Sequence, residues 1–402
     1  MRRPTIELLL IGLLITAPAG ATKPHPMPHP TPHHQPHPTP PHKPHPTPHH
    51  NHHTPPDISR FCVTELDADS GLDYHQTVDV NRRGQVLGWG YLDGRVEVFL
   101  WDQKHGYDFI DELAHEEEIP ARAAAGFNDR GQIVGTKNMD PEGEMLRAVI
   151  WKRGKGLQIL EPAPGDEHSV GLAINKHGEV MGNSGAYPNE AGLGIRSAFW
   201  DRHGHVTVIP HFPDSTSSTP YAMNNAGQVV GGTDAPNEVR GFIWDRQSGL
   251  RMIEGVPGDE SSLPSSINDH GEVVASSTPY GSGPHAVFWS DATGVVELGE
   301  LPGIRNSHGS DINNHRQIVG YATGQGGSFA VIWDAEGQMH NVNDLLVRDG
   351  PDDQYPHLID AREISDAGWV TASSLEGGEF RTFVLIPARR SPSGDYHCSC
   401  GK

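Results

Sequence analysis

Cysteine is nearly absent: the 402 residues hold only Cys62, Cys398 and Cys400. That excludes a disulfide-dense scaffold, and without a Cys-x-x-Cys pair it excludes the common zinc ribbons. Long apolar runs are missing too. Apart from the extreme N-terminus, no stretch approaches the ~20 residues that cross a bilayer, so no membrane span is expected. Positive charge is scarce, with 30 Lys and Arg against 51 Asp and Glu and a net charge of −21. Residues 57–402 carry 26 basic and 50 acidic groups. A surface so acidic repels phosphate backbones, and nucleic-acid binding is excluded. The chemistry of familiar enzymes leaves no trace either. There is no Gly-x-Ser-x-Gly elbow, no His-Glu-x-x-His and no Gly-x-x-x-x-Gly-Lys-Ser/Thr loop. The catalytic residues are therefore unknown at this level.

What the chain has in excess is Gly (47) and Pro (34), which favours many short strands and turns over a helical bundle. Residues 1–21 read as a signal peptide. Arg2 and Arg3 precede the apolar run Leu8–Ile15, and Ala19-Gly20-Ala21 fits a cleavage site. Sec export fits better than twin-arginine export or an uncleaved anchor. The expected location is secreted or periplasmic.

Residues 22–56 form a His/Pro-rich segment expected to be disordered. Lys23–Pro56 holds 14 Pro and 11 His. Proline at this density imposes extended backbone and removes amide donors, so no core can form. The histidines are His25, His29, His33, His34, His37, His42, His45, His49, His50, His52 and His53. Neutral imidazoles on a tether suit Zn, Ni or Cu; a solvated spacer is the alternative. No cofactor is required by the sequence.

From Tyr74 one pattern recurs: a short strand ending in Asn, a Gly turn, an apolar strand, a variable stretch, a strand ending in Trp, and a last short strand. Asn81, Asn128, Asn175, Asn224, Asn268, Asn313 and, in a degenerate copy, Ser365 mark it at spacings of 47, 47, 49, 44, 45 and 52. That is the period of a β-propeller blade. Six of the eight Trp hold one repeat position and are expected to pack between blades. An apolar residue stands 15 before the Asn in most units: Leu160, Ile209, Ile253 and Leu298. Leu66 stands 15 before Asn81, yet no unit precedes it. The seventh unit lacks its last strand, so Phe61–Leu66 is expected to complete it. The predicted fold is all-β: a seven-bladed propeller of four-stranded blades over 57–390, closed by the N-terminal strand, with 391–402 as a C-terminal tail. A monomer is expected.

Met223-Asn224-Asn225-Ala226-Gly227-Gln228-Val229-Val230-Gly231 and Leu298-Gly299-Glu300-Leu301-Pro302-Gly303 resemble the bacterial HAF family of extracellular repeats. The resemblance covers about 74–386. It implies an exported bacterial protein and supplies no catalytic residues. Arg316 departs from it, standing where Gly is expected.

Variable loops on a rigid scaffold are where binding usually sits. The connections between units carry Asp166, Glu167, Asp214, Asp259 and Glu260. These are the candidate ligand-binding residues, suited to a cation or a hydroxyl-rich ligand; plain solvated connectors are the alternative. His203, His205 and His211 are read as surface histidines. Cys62 is expected to bond Cys398 or Cys400, against a bridge between the latter two. The expected function is a secreted propeller acting as a binding or scaffold protein for an unknown extracellular protein or carbohydrate. The alternative is an extracellular propeller hydrolase or lyase acting on a polymer such as a polysaccharide. A channel mouth gathering His, Arg and paired acids would favour the enzyme.

Overall fold

The computed structural model describes residues 55–66, 70–114, 124–140, 145–185, 196–235, 238–347 and 356–398. The signal segment, the eleven tail histidines, Cys400 and the whole of 186–195 lie outside them.

The described residues form strands, with one short 3-10 turn at Val342–Asp344 and no α-helix. Each repeat folds as four antiparallel strands in sequence order. In the first unit these are Tyr74–Val80, Val86–Leu92, Arg95–Asp102 and Gly106–Phe109. The second to sixth units follow the same order, starting at Gly126–Phe127, His168–Ile174, Ser218–Met223, Asp259–Ile267 and Ile304–Ile312. A single parallel bridge, Arg240 to Ser262, joins the fourth and fifth. The seventh unit has Leu358–Ile364, Val370–Glu376 and Glu379–Pro387, and its fourth strand is Phe61–Glu65. Phe61 lies opposite Pro387 and Glu65 opposite Phe383.

The repeat residues act through local chemistry. Asn128 closes its turn by accepting from the Arg130 and Gln132 amides at 3.0 and 3.2 Å. Its Nδ2 donates to the Asn175 carbonyl of the next unit at 2.8 Å. Asn224, Asn268 and Asn313 reach Asn268, Asn313 and Ser365 in the same way. One side chain thus caps a turn and ties two units. The turn also needs positive φ, supplied by Gly227 at 78°; Arg316 adopts φ 60° in the sixth unit. Arg316 Nε meets Glu272 Oε1 at 3.0 Å, an ion pair to the fifth unit that glycine could not make. The Gly that ends the Gln-Val-Val-Gly motif has a different role. At Gly182 and Gly320 a Cβ would collide with the carbonyl of Val170 or His308 on the first strand.

The core lies between units. Trp101, Trp151, Trp200, Trp244, Trp289 and Trp333 are all buried. Leu66, Leu160, Ile209 and Ile253 are buried as well. The amides of Ile209, Ile253 and Leu66 bond the third-strand carbonyls of Ser197, Gly241 and Thr382. Leu66 therefore occupies in the seventh unit the place that Ile209 and Ile253 hold in theirs.

The chain ends are fastened to each other. Cys62 and Cys398 are disulfide-bonded, with Cα atoms 5.4 Å apart. The described fold continues past 390, because Arg389–Arg390 pairs with Tyr396–His397. Gly and Ser in this stretch make the turn of that hairpin. Tyr396 lies between the guanidinium groups of Arg60 and Arg390, each 5.9 Å from its ring, and its hydroxyl meets Ser59 at 2.7 Å.

Candidate functional site

The loop carboxylates are engaged inside their own units. Asp166 pairs with Arg196 at 2.5 Å and accepts from Ser184 at 2.6 Å. Asp214 pairs with Arg240 at 2.8 Å. Asp259 accepts from Ser277 at 2.6 Å and stands 3.3 Å from His285. Each pins a connection to the second or third strand of the unit it leads into. Glu167 is exposed, and nothing is described of the Glu260 side chain. His205 pairs with Asp201 at 3.0 Å, and His203 is exposed beside it. Among the described residues no group of three or more His, Cys, Asp or Glu is arranged to hold a metal ion.

A central cavity of about 380 Å³ is lined by the first strands and Asn turns of all seven units. Its wall is uneven. Two residues before the marker Asn stand Gly126, Ala173, Ala222 and Ser266 in the second to fifth units. In the sixth, seventh and first the same place holds Asp311, Glu363 and Asp79. Asp311 accepts from the Ile364 amide at 2.8 Å and from Ser266 at 2.6 Å, bridging the fifth and seventh units. Asp79 accepts from the Phe127 amide at 3.3 Å.

Three carboxylates in one lumen resist ionising together. Burial pushes Asp79 up to about 7; the Phe127 amide opposes this and the charge of Asp311 adds to it. Burial, then the charges of Asp311 and Asp79, hold Glu363 well above the usual carboxylate range. Asp311 is also raised by burial, against hydrogen bonds from the Ile364 amide, Ser266 and the Ile312 amide. The trio therefore retains protons near neutrality, when ordinary carboxylates are ionised.

One step along the same strands, five residues before the marker, a second asymmetry appears. Each such residue has a cross-strand neighbour. The pairs are Val170 with Asn183, Thr219 with Gly232 and Leu263 with Ser276 in the third to fifth units. In the sixth, seventh and first they are His308 with Tyr321, Asp360 with Ser373 and Gln76 with Trp89. The His308 and Tyr321 rings stack at 5.3 Å and 7°. Arg362 Nε bonds Asp360 Oδ2 at 2.8 Å, and its guanidinium lies 5.9 Å from the Phe380 ring. Burial lowers the His308 imidazole below its ordinary value, with the charge of Asp360 opposing, so it is neutral at pH 7.

The sequence reading did not single out these residues. The signal that could find them is the set of positions where the seventh, sixth and first units break the small-residue pattern of the others.

No family model and no curated protein matches the chain. Solved structures do. The chain is similar to an oligogalacturonate lyase in complex with manganese at 16 % identity and a TM-score of 0.53, over 81 % of this chain and 93 % of that one. It is also similar to the β-propeller domain of the Trilobed protease from Pyrococcus furiosus, at 10 % identity and a TM-score of 0.53, over 84 % and 99 %. The likeness is one of fold: an all-β, propeller-like arrangement of repeated four-stranded sheets.

Proposed function

We propose that this chain is an exported, seven-bladed β-propeller of the HAF type, closed by its N-terminal strand, that binds a small polar ligand in its axial cavity. The observation carrying this reading is the gathering of Asp79, Asp311 and Glu363 in the cavity wall, at the positions where the second to fifth units have Gly126, Ala173, Ala222 and Ser266. Buried carboxylates held partly protonated favour a ligand with hydroxyl groups or positive charge, which would satisfy them. Of the loop acids, Asp166, Asp214 and Asp259 serve this reading less well, since they are engaged by Arg196, Arg240 and Ser277. The His-rich tail is proposed as a separate, tethered site for Zn, Ni or Cu.

The experiment is a thermal-shift titration of the full chain with calcium, spermidine and glucosamine, beside the double variant Asp311→Asn, Glu363→Gln. At least one probe should raise the melting temperature of the wild type and not that of the variant. No shift with any probe in the wild type would end the reading.

A second reading, an extracellular hydrolase or lyase acting on a polysaccharide, has its own support. His308, Arg362 and Asp360 gather with the paired acids on the same three units, as an acid–base site requires.

A further inference from the structure

Asp360 and Ser373 are cross-strand neighbours on the seventh unit, and His308 is on the sixth. Asp360 Oδ1, Ser373 Oγ and His308 Nδ1 are all shielded from solvent and have no hydrogen-bond partner among the described residues. Leaving one such atom unpaired costs about 1–3 kcal/mol, and a charged one more. Three in one place mark groups that lack a partner the chain does not supply. They are mutually close in electrostatic terms, since the charge of Asp360 acts on both His308 and Tyr321.

Half-buried aromatic rings stand on either side. Tyr321 flanks the place from the sixth unit. Tyr74 flanks it from the first, its ring 6.1 Å from Phe380 and 6.0 Å from Trp89. At the position of Tyr321 and Trp89, the third, fourth and fifth units have Asn183, Gly232 and Ser276. Aromatic pillars therefore occur on the two units that flank Asp360. Arg362 lies across this wall on a long side chain that keeps 37 % of its exposure, so it can swing clear.

The geometry points to a saccharide-binding site on the sixth, seventh and first units, in which Asp360, Ser373 and His308 pair with ring hydroxyls and Tyr321, Phe380 and Tyr74 meet the sugar faces. The chemistry selects the class. A sugar ring offers several hydroxyls that both donate and accept, which suits a carboxylate, a hydroxyl and a neutral imidazole at once. Its C–H faces suit aromatic rings. The Arg362 guanidinium is already engaged by Asp360, and the chain carries a net charge of −21. That balance disfavours acidic sugars, so neutral saccharides are the expected ligands. This inference rests on the reading of the axial region as the ligand site and names its ligand.

The test is calorimetric titration of the full chain with maltotetraose, N-acetylchitotetraose and tetragalacturonate. Asp360→Asn and Tyr321→Ser are compared with Asp311→Asn and with Thr219→Ala on the opposite wall, each checked by melting. A neutral tetrasaccharide should bind the wild type, lose at least 10-fold in affinity in Asp360→Asn and Tyr321→Ser, and stay within twofold in Thr219→Ala. If Asp360→Asn does not fold, Tyr321→Ser decides. Unchanged affinity in the folded variants, an equal loss in Thr219→Ala, or no binding by any saccharide would overturn the inference. Loss in Asp311→Asn with Asp360→Asn unaffected would overturn it and leave the axial-cavity reading standing.

Discussion

Replacing Cys62 and Cys398 by Ala should cost this protein a large part of its stability. The bridge closes a loop with a sequence separation of 336. Confining the unfolded chain over a loop of that length is worth about 6 kcal/mol in the chain-entropy treatment, more than a bridge across 100 residues by about 1 kcal/mol. Cys62 is also buried against Val347 and Ala388, so the variant loses about 1 kcal/mol of packing in addition. With roughly 340 residues unfolding at about 2.1 cal/mol/K each, the entropic part alone lowers the melting temperature by about 8 °C. Guanidinium unfolding followed by tryptophan fluorescence checks this, because six of the Trp are buried between units. Reducing the wild type with dithiothreitol separates the two parts: it opens the loop and leaves the Cys62 side chain in place. The unreduced wild type should also show the smaller denaturant slope, since its unfolded chain stays more compact. A double variant within 1 kcal/mol of the wild type would refute the reasoning, and would mean that the strand pairing of Phe61–Glu65 survives in the denatured chain.

The folded-state pKa of Asp79, about 7, lies above its unfolded value near 4. Its contribution is therefore fully present below pH 4 and lost as pH rises through 7. That difference corresponds to an upper bound of about 4 kcal/mol. Melting curves from pH 4 to 8 should flatten in Asp79→Asn; an unchanged slope would discount the carboxylate trio. Asn224→Ala should cost about 2–3 kcal/mol, because it strands the Ala226 and Gln228 amides and removes the tie from Asn224 to the Asn268 carbonyl of the next unit. A chain starting at Ser70 should melt well below one starting at Asp57, or aggregate, since Phe383 and Leu385 lose their covering strand; equal melting would dispose of closure. Zinc or nickel titrated into the full chain should bind in excess of what a chain starting at Asp57 takes up, and equal stoichiometry would remove the tail as a metal site.

Much of this architecture is legible because it repeats. The Asn and Gly of each turn, the Trp at the third-strand end and the 15-residue phase of Leu66 are each a rule applied many times, so one sequence serves as its own alignment. The proposed ligand site follows the opposite logic. Asp79, Asp311 and Glu363 replace the Gly, Ala and Ser of other units, and Tyr321 replaces Gly232 or Ser276. Searching for what recurs passes over them. The loop acids drew attention by their composition, yet their function depends on partners such as Arg196 and Arg240, which lie 30 and 26 residues downstream across a sheet. No local motif reveals that pairing. The C-terminal hairpin escaped for a similar reason, because Tyr396 gains its place from Arg60 and Ser59 at the far end of the chain.

The pairing of Phe61 with Pro387 sets the order in which the molecule can be completed. A ribosome adding roughly 5–20 residues per second needs on the order of half a minute to go from one to the other. During that interval the first strand has been made and has no sheet to join. The six intervening units can each form from local contacts as they emerge, but the strand from 61 to 65 must stay extended and unclaimed beside them. Its sequence, Phe-Cys-Val-Thr-Glu, is short and ends in a charge that later meets Arg381, which limits pairing with a wrong edge while it waits. The newborn chain thus carries one spare strand until Phe61–Glu65 pairs with Glu379–Pro387, a late event that engages both ends of the described fold at once.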